Sequence, residues 1–281
     1  MVCYGCHSGI FSKNLRATPE PDARLSAMTL LDIKNVNKHF GGLQAVSQVS
    51  FTVQKGMIKS VIGPNGAGKT TLFNLISGNL PLSSGQIFFD GKAIHGMQPY
   101  QIARRGISRT FQNIKLFPGL TALENVMIGR HTRSRAGFIA GMFHFPATRR
   151  EEDAIREKSF ELLQLLEISQ YADVDASSLA FGQQRAVEFA RALASEPTLL
   201  LLDEPAAGLN IYETAEIARL IMKIKSQGIT VLLVEHDMSL VMDISDQIVV
   251  LSFGQKIAED IPSSIQQNKE VIQIYLGDAD A

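Results

Sequence analysis

The feature that most constrains the fold is a nine-residue run that contains three glycines and one lysine. It follows a candidate strand, Ile58 to Ile62, and precedes Leu72 to Ile76, whose apolar residues have helical spacing. The run reads GPNGAGKTT and consists of Gly63, Pro64, Asn65, Gly66, Ala67, Gly68, Lys69, Thr70 and Thr71. The glycines allow the backbone to bend so that successive N–H groups point inward, and the following helix adds its positive N-terminal end. The pattern predicts a phosphate-binding loop between a strand and a helix.

Two side chains of this loop carry further predicted chemistry. The ammonium of Lys69 is predicted to contact the β- and γ-phosphates of ATP. The hydroxyl of Thr70 is a predicted ligand of Mg²⁺. A phosphate loop alone does not choose among kinases, GTPases and motor ATPases, so further residues are needed to narrow the function.

Two adjacent acids end a second apolar run. Asp203 and Glu204 follow four leucines, Leu199 to Leu202, which are typical of a buried parallel strand. The carboxyl ends of parallel strands meet at one edge of a sheet, so we expect both acids to lie beside the phosphate loop. Asp203 is then a predicted Mg²⁺ ligand through water, and Glu204 is the predicted general base for the attacking water. An exposed acidic turn after a core strand is the alternative.

A histidine follows a third apolar run. His236 comes directly after Thr230 to Glu235, so it falls at the same predicted sheet edge. From spacing alone it is either a packed or solvated histidine or a side chain that reaches a γ-phosphate.

Charge and apolar run lengths limit the partners of the chain. The 281 residues carry a formal net charge of −1, so no overall attraction to nucleic acid or anionic lipid is expected. The longest apolar runs, such as Ile229 to Val234, are far shorter than the roughly 20 residues of a membrane-spanning helix. We therefore expect any membrane role to be peripheral.

The two cysteines lie in a segment that we predict to be a disordered tail, residues 1–27. Cys3, Cys6 and His7 spell CYGCH, the attachment pattern of c-type haem. That attachment requires export, and no charged and then apolar leader precedes the pattern. No second ligand pair follows at zinc-finger spacing. We interpret the pattern as a chance match.

The rest of the chain follows an α/β pattern with a helical middle. Short β-like runs before the phosphate loop, Leu30 to Val36 and Val49 to Val53, flank the turn pair Gly41-Gly42. An amphipathic helix is predicted over Glu151 to Ile168. The strand–helix–strand order after residue 199 predicts a mainly parallel sheet covered on both faces.

Taken together, these motifs resemble the ABC ATPase family, from Leu30 to Gly277. GPNGAGKTT and LLLLDEP are similar to its Walker A and Walker B motifs. LAFGQQR lies where the LSGGQ signature lies, and AAGLN resembles the D-loop. Gln112 is placed like the Q-loop glutamine, Phe40 like the aromatic that stacks on adenine, and His236 like the switch histidine.

The resemblance implies an α/β fold. This is the P-loop NTPase fold with a RecA-like core sheet, an antiparallel β subdomain and an inserted α-helical subdomain. We expect the ATPase domain to occupy residues 28–266, with the helical subdomain at about residues 113–187. Residues 267–281 are expected to form a C-terminal tail.

The resemblance also implies a composite site in a dimer. ATP lies between the Walker A loop of one subunit and the signature of the other, so Ala180, Gly182 and Gln183 are expected to contact ATP in trans. The implied catalytic residues are Lys69, Gln112, Glu204 and His236. The implied Mg²⁺ ligands are Thr70, Gln112 and Asp203.

The signature departs from the family pattern. Ala180 replaces the usual serine and so removes a hydroxyl donor, and Phe181 replaces a glycine. The loss of one hydrogen bond to a charged group costs about 1.5–3 kcal/mol if nothing compensates. Ser178 lies nearby as a candidate substitute, and Asn210 stands where the D-loop often has aspartate.

The residue sequences of several loops resemble those of one group of importers. Three segments are similar to the LivG-type ATPases of branched-chain amino-acid importers: FQNIKLFPGLTALENV, the AAGLN D-loop and the ending VIQIYLGD. Those ATPases carry an insertion after the Q-loop, and Arg130 to Arg150 fits that insertion. The resemblance implies a second ABC ATPase subunit, identical or LivF-like. It also implies two integral membrane permease subunits, a periplasmic substrate-binding protein and a place on the cytoplasmic face of the bacterial inner membrane.

Other functions fit the residues less well. An ABC ATPase acting on nucleic acid or the ribosome would use the arginines of the Arg130 to Arg150 stretch, but the chain has no long heptad arm and only one phosphate loop. A nucleotide-binding module without turnover is disfavoured by Lys69, Glu204 and His236. A kinase or GTPase lacks a guanine-reading NKxD pattern. Another small polar cargo, such as urea or a short amide, stays open because the cargo does not touch this chain.

Overall fold

The computed structural model describes Met1 and residues 28–110, 114–130 and 146–276. Within these ranges, every helix is too short or too polar to span a bilayer. The strands are β1 Thr29–Phe40, β2 Leu43–Gln54, β3 Ile58–Ile62, β4 Ser84–Phe89, β5 Lys92–Ala93, β6 Ile107–Arg109, β7 Leu199–Asp203, β8 Thr230–Val234, β9 Gln247–Ser252 and β10 Gln255–Asp260. The helices are α1 Lys69–Ile76, α2 Pro99–Arg104, α3 Ala122–Arg130, α4 Pro146–Leu165, α5 Phe181–Leu193, α6 Ile211–Ser226, α7 Met238–Ile244, α8 Pro262–Gln267 and α9 Lys269–Leu276.

A six-stranded sheet of order β10-β9-β3-β8-β7-β6 forms the centre of the fold. All its neighbouring strands run parallel except β10, which pairs antiparallel with β9. The leucine run of β7 is fully buried because alternate residues face two cores. Leu200 and Leu202 pack on one side, and Leu199 and Leu201 pack on the other. The predicted mainly parallel sheet is therefore confirmed.

An antiparallel sheet of order β2-β1-β4-β5 packs against one face of the central sheet. β1 and β2 are longer than the predicted runs, at twelve residues each, and they meet at the predicted Gly41-Gly42 turn. Register shifts interrupt the pairing of β1 with β2 at several points. Phe73 of α1 packs in the core that this sheet shares with the central one. The expected antiparallel β subdomain is thus present.

Helices α3, α4 and α5 pack together on the opposite face. The start of α3 has the predicted capping box, because Thr121 N donates to Glu124 Oε2 at 2.8 Å and Glu124 N donates to Thr121 Oγ1 at 3.1 Å. Within α5, Arg185 and Glu188 form a fully buried ion pair with 2.7 Å between Nη1 and Oε2. These helices form the expected helical subdomain.

The boundaries of two predicted segments differ from the structure. The amphipathic helix predicted over Glu151 to Ile168 is α4, Pro146–Leu165. The predicted C-terminal tail begins with a packed helix, α9, whose Val271 is buried against the core around β9. Sequence analysis missed α9 because the helix has only eight residues, fewer than the roughly 11 over which helical periodicity is recognised. Most of the Arg130 to Arg150 insertion and the predicted tail of residues 1–27, with Cys3 and Cys6, lie outside the described residues.

Candidate functional site

The phosphate loop occupies the turn between β3 and α1, as predicted. Gly63 has φ 151°, and a Cβ there would lie 2.1 Å from the Leu251 carbonyl oxygen. Gly68 has φ 97°, and a Cβ there would lie 2.4 Å from the Ala45 carbonyl oxygen. A side chain at either position would collide with backbone, so glycine is required for the loop to pack between β9 and β2.

The ammonium of Lys69 lies within this loop. Its Nζ donates to the carbonyl oxygens of Gly63 at 2.6 Å and Pro64 at 3.0 Å. Burial lowers the pKa of Lys69, and the nearby carboxylates of Glu204 and Asp203 oppose that shift. The loop lysine and the two acids thus share one electrostatic environment, which sequence spacing predicted from the common sheet edge.

Glu204 and His236 are in contact. The Nε2 atom of His236 lies 2.8 Å from Glu204 Oε1, and the backbone N–H of Glu204 donates to Val234 O at 2.8 Å. Glu204 has φ 49°, a left-handed conformation that is strained for a glutamate. The end of β8 therefore fixes the direction of both side chains. A histidine oriented by this acid is well placed for charge stabilisation, as distinct from an isolated surface histidine.

Asp203 has a cationic partner that sequence analysis missed. Arg109, at the end of β6, donates from Nη2 to Asp203 Oδ2 at 2.7 Å and from Nη1 to Asn74 Oδ1 at 2.7 Å. Both side chains of the ion pair are almost fully buried. The position of Arg109 could have indicated this role, because Arg109 ends a strand at the same edge of the sheet. That strand has only three residues, so the alternation of apolar and polar residues is too short to identify it from the sequence.

Glu235 is a second residue that the sequence did not reveal as part of the site. Its carboxylate accepts hydrogen bonds from the backbone N–H groups of Ala206 at 2.7 Å, His236 at 2.9 Å and Asp237 at 3.4 Å. Burial raises the pKa of Glu235, although these three hydrogen bonds act in the opposite direction. The carboxylate ties the segment after Glu204 to the segment that carries His236.

The C-terminal helix α9 also reaches the phosphate loop. Burial raises the pKa of the Tyr275 hydroxyl to about 12, and the backbone N–H of Gly63 is a hydrogen-bond donor that partly offsets the shift. Residues near the end of the described chain therefore contact the first glycine of the loop.

A groove of about 420 Å³ runs from the phosphate loop to the rim of the antiparallel sheet. Phe40 lines it and is 45 % exposed, and the Lys38 Nζ atom lies 5.0 Å from the centre of its ring. The residues that line the groove are Phe40, Leu43, Gln44, Ala45, Asn65, Gly66, Ala67, Gly68, Lys69, Thr70, Thr71, Glu204, His236 and Phe253. The structure thus brings together the expected nucleotide contacts of one subunit, in a groove lined by both apolar and charged residues.

The signature residues lie on a different surface. Ala180, Gly182 and Gln183 line a separate groove with Tyr212 and Glu213 of helix α6. Ala180 is the N-cap residue of α5 and supplies no side-chain cap, while Gln183 Oε1 accepts from the Ala180 N–H at 3.1 Å. These residues do not line the groove that contains Lys69 and Glu204.

Two polar residues near the signature already have local partners. The Ser178 hydroxyl donates to the Asp175 carbonyl oxygen at 2.8 Å. Asn210 caps helix α6, since its Oδ1 accepts from the backbone N–H groups of Tyr212 at 2.9 Å and Glu213 at 3.1 Å. The D-loop asparagine therefore has a structural role as a helix cap, and the hydroxyl of Ser178 is engaged with its own turn.

Hard oxygen donors suited to Mg²⁺ are present at the phosphate end. Thr70 is exposed on the groove, Asp203 ends strand β7, and Glu204 follows it and also lines the groove. Mg²⁺ usually takes only one or two protein carboxylates beside phosphate oxygens and water, so this set fits it. Gln112, the third predicted ligand and a predicted catalytic residue, lies outside the described residues.

Comparison with known proteins agrees with the fold and the motifs. The family model for "ABC transporter" matches residues 46–207, and that for "Branched-chain amino acid ATP-binding cassette transporter" matches residues 255–281. The chain is 45 % identical over 251 residues to the high-affinity branched-chain amino acid transport ATP-binding protein BraF of Pseudomonas aeruginosa, a match that covers 89 % of this chain and 98 % of BraF. It is 40 % identical to LivG of Escherichia coli, with the same two coverages.

A solved structure gives the same result. An ATP-binding cassette of an ABC transporter in its ADP conformation superposes with a TM-score of 0.78 at 34 % identity, covering 89 % of this chain and all of that one. The resemblance to LivG-type ATPases and the expected P-loop NTPase fold are confirmed. This chain belongs to the ATP-binding cassette family of ABC transporters and is one of its ATP-hydrolysing members.

Proposed function

We propose that this chain powers the import of branched-chain amino acids by hydrolysing ATP at the groove between Phe40 and Glu204. The single observation that carries the hydrolytic part is the 2.8 Å contact between Glu204 Oε1 and His236 Nε2 beside the phosphate loop. The cargo is supported by the likeness to BraF and LivG and by the match of residues 255–281 to a branched-chain amino-acid transporter model.

The chemistry follows from the positions of three side chains. Glu204 takes a proton from the attacking water as general base, at the end of the strand that faces the phosphate loop. His236, oriented by Glu204, donates a hydrogen bond to the γ-phosphate. Lys69 neutralises charge on the β- and γ-phosphates as the bond to the leaving ADP breaks.

Mg²⁺ is the proposed metal, held by Thr70 and Asp203 with Gln112 as a further ligand. When bound, Mg²⁺ would neutralise negative charge on the phosphates of ATP. The ion pair with Arg109 holds the Asp203 carboxylate at the strand end, with 2.7 Å between Nη2 and Oδ2. The Asp203 carboxylate is thus an oxygen donor held in a fixed position near the phosphate loop.

A second ABC ATPase subunit, identical or LivF-like, is the proposed partner at the nucleotide. Ala180, Gly182 and Gln183 lie on a different groove from Lys69, so contact between signature and ATP requires another chain. The N-terminus of α5 then presents backbone N–H groups to the γ-phosphate in trans. We further propose two membrane permease subunits and a periplasmic substrate-binding protein, with this chain on the cytoplasmic face of the inner membrane and no nucleic acid among its partners.

Uptake of labelled leucine in cells that lack this gene tests the proposal. We expect the native chain to restore uptake and Glu204→Gln to fail at equal expression, because the variant lacks the proposed base. Glu270→Gln, an exposed acid on α9, is the matched control and should restore uptake fully. Leucine uptake that is independent of the native chain contradicts the cargo, and urea and short amides are then tested in the same cells.

A further inference from the structure

A large aromatic residue lies in the tight turn between β9 and β10. Phe253 has φ 46° and Gly254 has φ 78°, and these two residues are the whole loop of the hairpin. Two positive φ angles define the type I′ turn, which favours Asn-Gly or Asp-Gly. A bulky side chain in the left-handed region is strained, and 89 % of Phe253 is exposed. Neither turn geometry nor burial accounts for phenylalanine here.

The turn is attached to the phosphate loop. The backbone N–H of Gly254 donates to Ala67 O at 3.1 Å, and the backbone N–H of Ser47 donates to Gly254 O at 2.7 Å. A Cβ on Gly254 would lie 2.8 Å from the Ala45 carbonyl oxygen. Contacts on both sides therefore fix the backbone that carries Phe253 relative to the loop that binds phosphate.

Phe253 lines the same groove as Phe40. Lys69, Glu204 and His236 line this groove together with three exposed apolar residues, Phe40, Leu43 and Phe253. The Lys38 ammonium lies 5.0 Å from the Phe40 ring, so a cation already contacts that ring. A nucleotide base that stacks on Phe40 alone would leave its other apolar surface exposed to water.

We propose that Phe253 is a second aromatic contact for the adenine base of the nucleotide, held in place by the attachment of its turn to the phosphate loop. Backbone strain at functional positions persists when surrounding structure over-determines it, and the contacts of Gly254 supply that restraint. The proposal depends on the ATP site of this chain and is independent of the cargo.

Calorimetric binding of ADP and of inorganic pyrophosphate to the purified chain, each with Mg²⁺, tests the proposal. Phe253→Ala should raise the Kd for ADP at least about fivefold, the low end for loss of base–aromatic stacking. The Kd for pyrophosphate, which has no base, should stay within about twofold. Phe253→Tyr, which retains the ring, should bind ADP like the native chain. Met222→Ala, which removes an exposed apolar side chain on α6 outside the groove, is the surface control.

Phe253→Asn separates binding from folding. Asparagine tolerates the left-handed conformation, so its midpoint of urea unfolding should equal or exceed the native one while its ADP affinity falls. An unchanged ADP affinity in Phe253→Ala overturns the proposal, even if ATP-dependent dimerisation changes, because Phe253 would then contact the partner. Equal weakening of ADP and pyrophosphate also overturns it, because Phe253 would then act through the phosphate loop. These binding outcomes are independent of leucine uptake.

Discussion

The nucleotide groove and the signature surface differ in how many of their contacts are made within one chain. In the groove, Lys69 is held by loop carbonyls and Glu204 by Val234 and His236. The signature helix α5 begins at an alanine cap, and the neighbouring Tyr212 is 82 % exposed. One surface has its reactive groups already in contact, whereas the other presents a helix N-terminus outward. The difference favours a division of roles, in which the groove of one subunit supplies the groups for hydrolysis and the signature surface acts only when two subunits come together.

The largest expected effect comes from the contact between Glu204 and His236, for which we propose a catalytic role. Glu204→Gln should lower the rate of ATP hydrolysis at least about 100-fold, the low end for loss of a general base. The Kd for ADP should change little, because the phosphate loop is intact. Measuring both in the purified chain checks the prediction. A variant that retains more than a tenth of the native rate would remove Glu204 from the role of base.

Two loop glycines test how tightly the groove is packed. Gly63→Ala should lower the free energy of unfolding by more than about 3 kcal/mol, because its Cβ would meet the Leu251 carbonyl oxygen at 2.1 Å. Gly66→Ala has no atom within 4 Å of the added Cβ and should cost only about 1–2 kcal/mol, from its φ of 80°. Urea unfolding of the two variants gives the comparison. Equal losses would show that packing against β9 does not matter.

A substitution at the signature surface should change helix stability and dimerisation but leave nucleotide binding in the groove unchanged. Ala180→Ser supplies the missing side-chain cap of α5 and should raise the free energy of unfolding by about 0.5–1 kcal/mol. The same hydroxyl should strengthen ATP-dependent dimerisation of the Glu204→Gln variant, measured by sedimentation, without changing the Kd for ADP of a single subunit. A changed ADP affinity would contradict the separation of the two surfaces.

The smallest effect concerns Glu235, which links the D-loop segment to His236. Its raised pKa means that the folded state keeps a proton that the unfolded state loses, so stability falls as pH rises from the unfolded value towards the folded pKa. Glu235→Gln does not titrate. The free energy of unfolding, measured by urea from pH 4 upward, should therefore fall less with pH in the variant than in the native chain. Parallel slopes would mean that Glu235 has an ordinary pKa.

Much of the fold and the site could be predicted because local signals were strong. The glycines of the phosphate loop, the leucines of β7 and the capping box of Thr121 and Glu124 each depend on neighbouring residues. The position of Glu204 and His236 at one edge of the sheet followed from the rule that parallel strands end at the same edge, whereas their contact was not predicted. Arg109 and helix α9 were missed because the elements that contain them are short, a strand of three residues and a helix of eight, so neither shows a clear periodicity.

The sequence by itself determined the family, the phosphate loop and the acids at the strand ends, since these depend on residue type and short spacing. Only the tertiary structure decided which groups meet across the chain. Arg109 reaches Asp203, Glu235 accepts from Ala206, and the turn of Phe253 joins the phosphate loop. Such contacts join residues far apart in sequence, and packing of the sheet alone sets their distances.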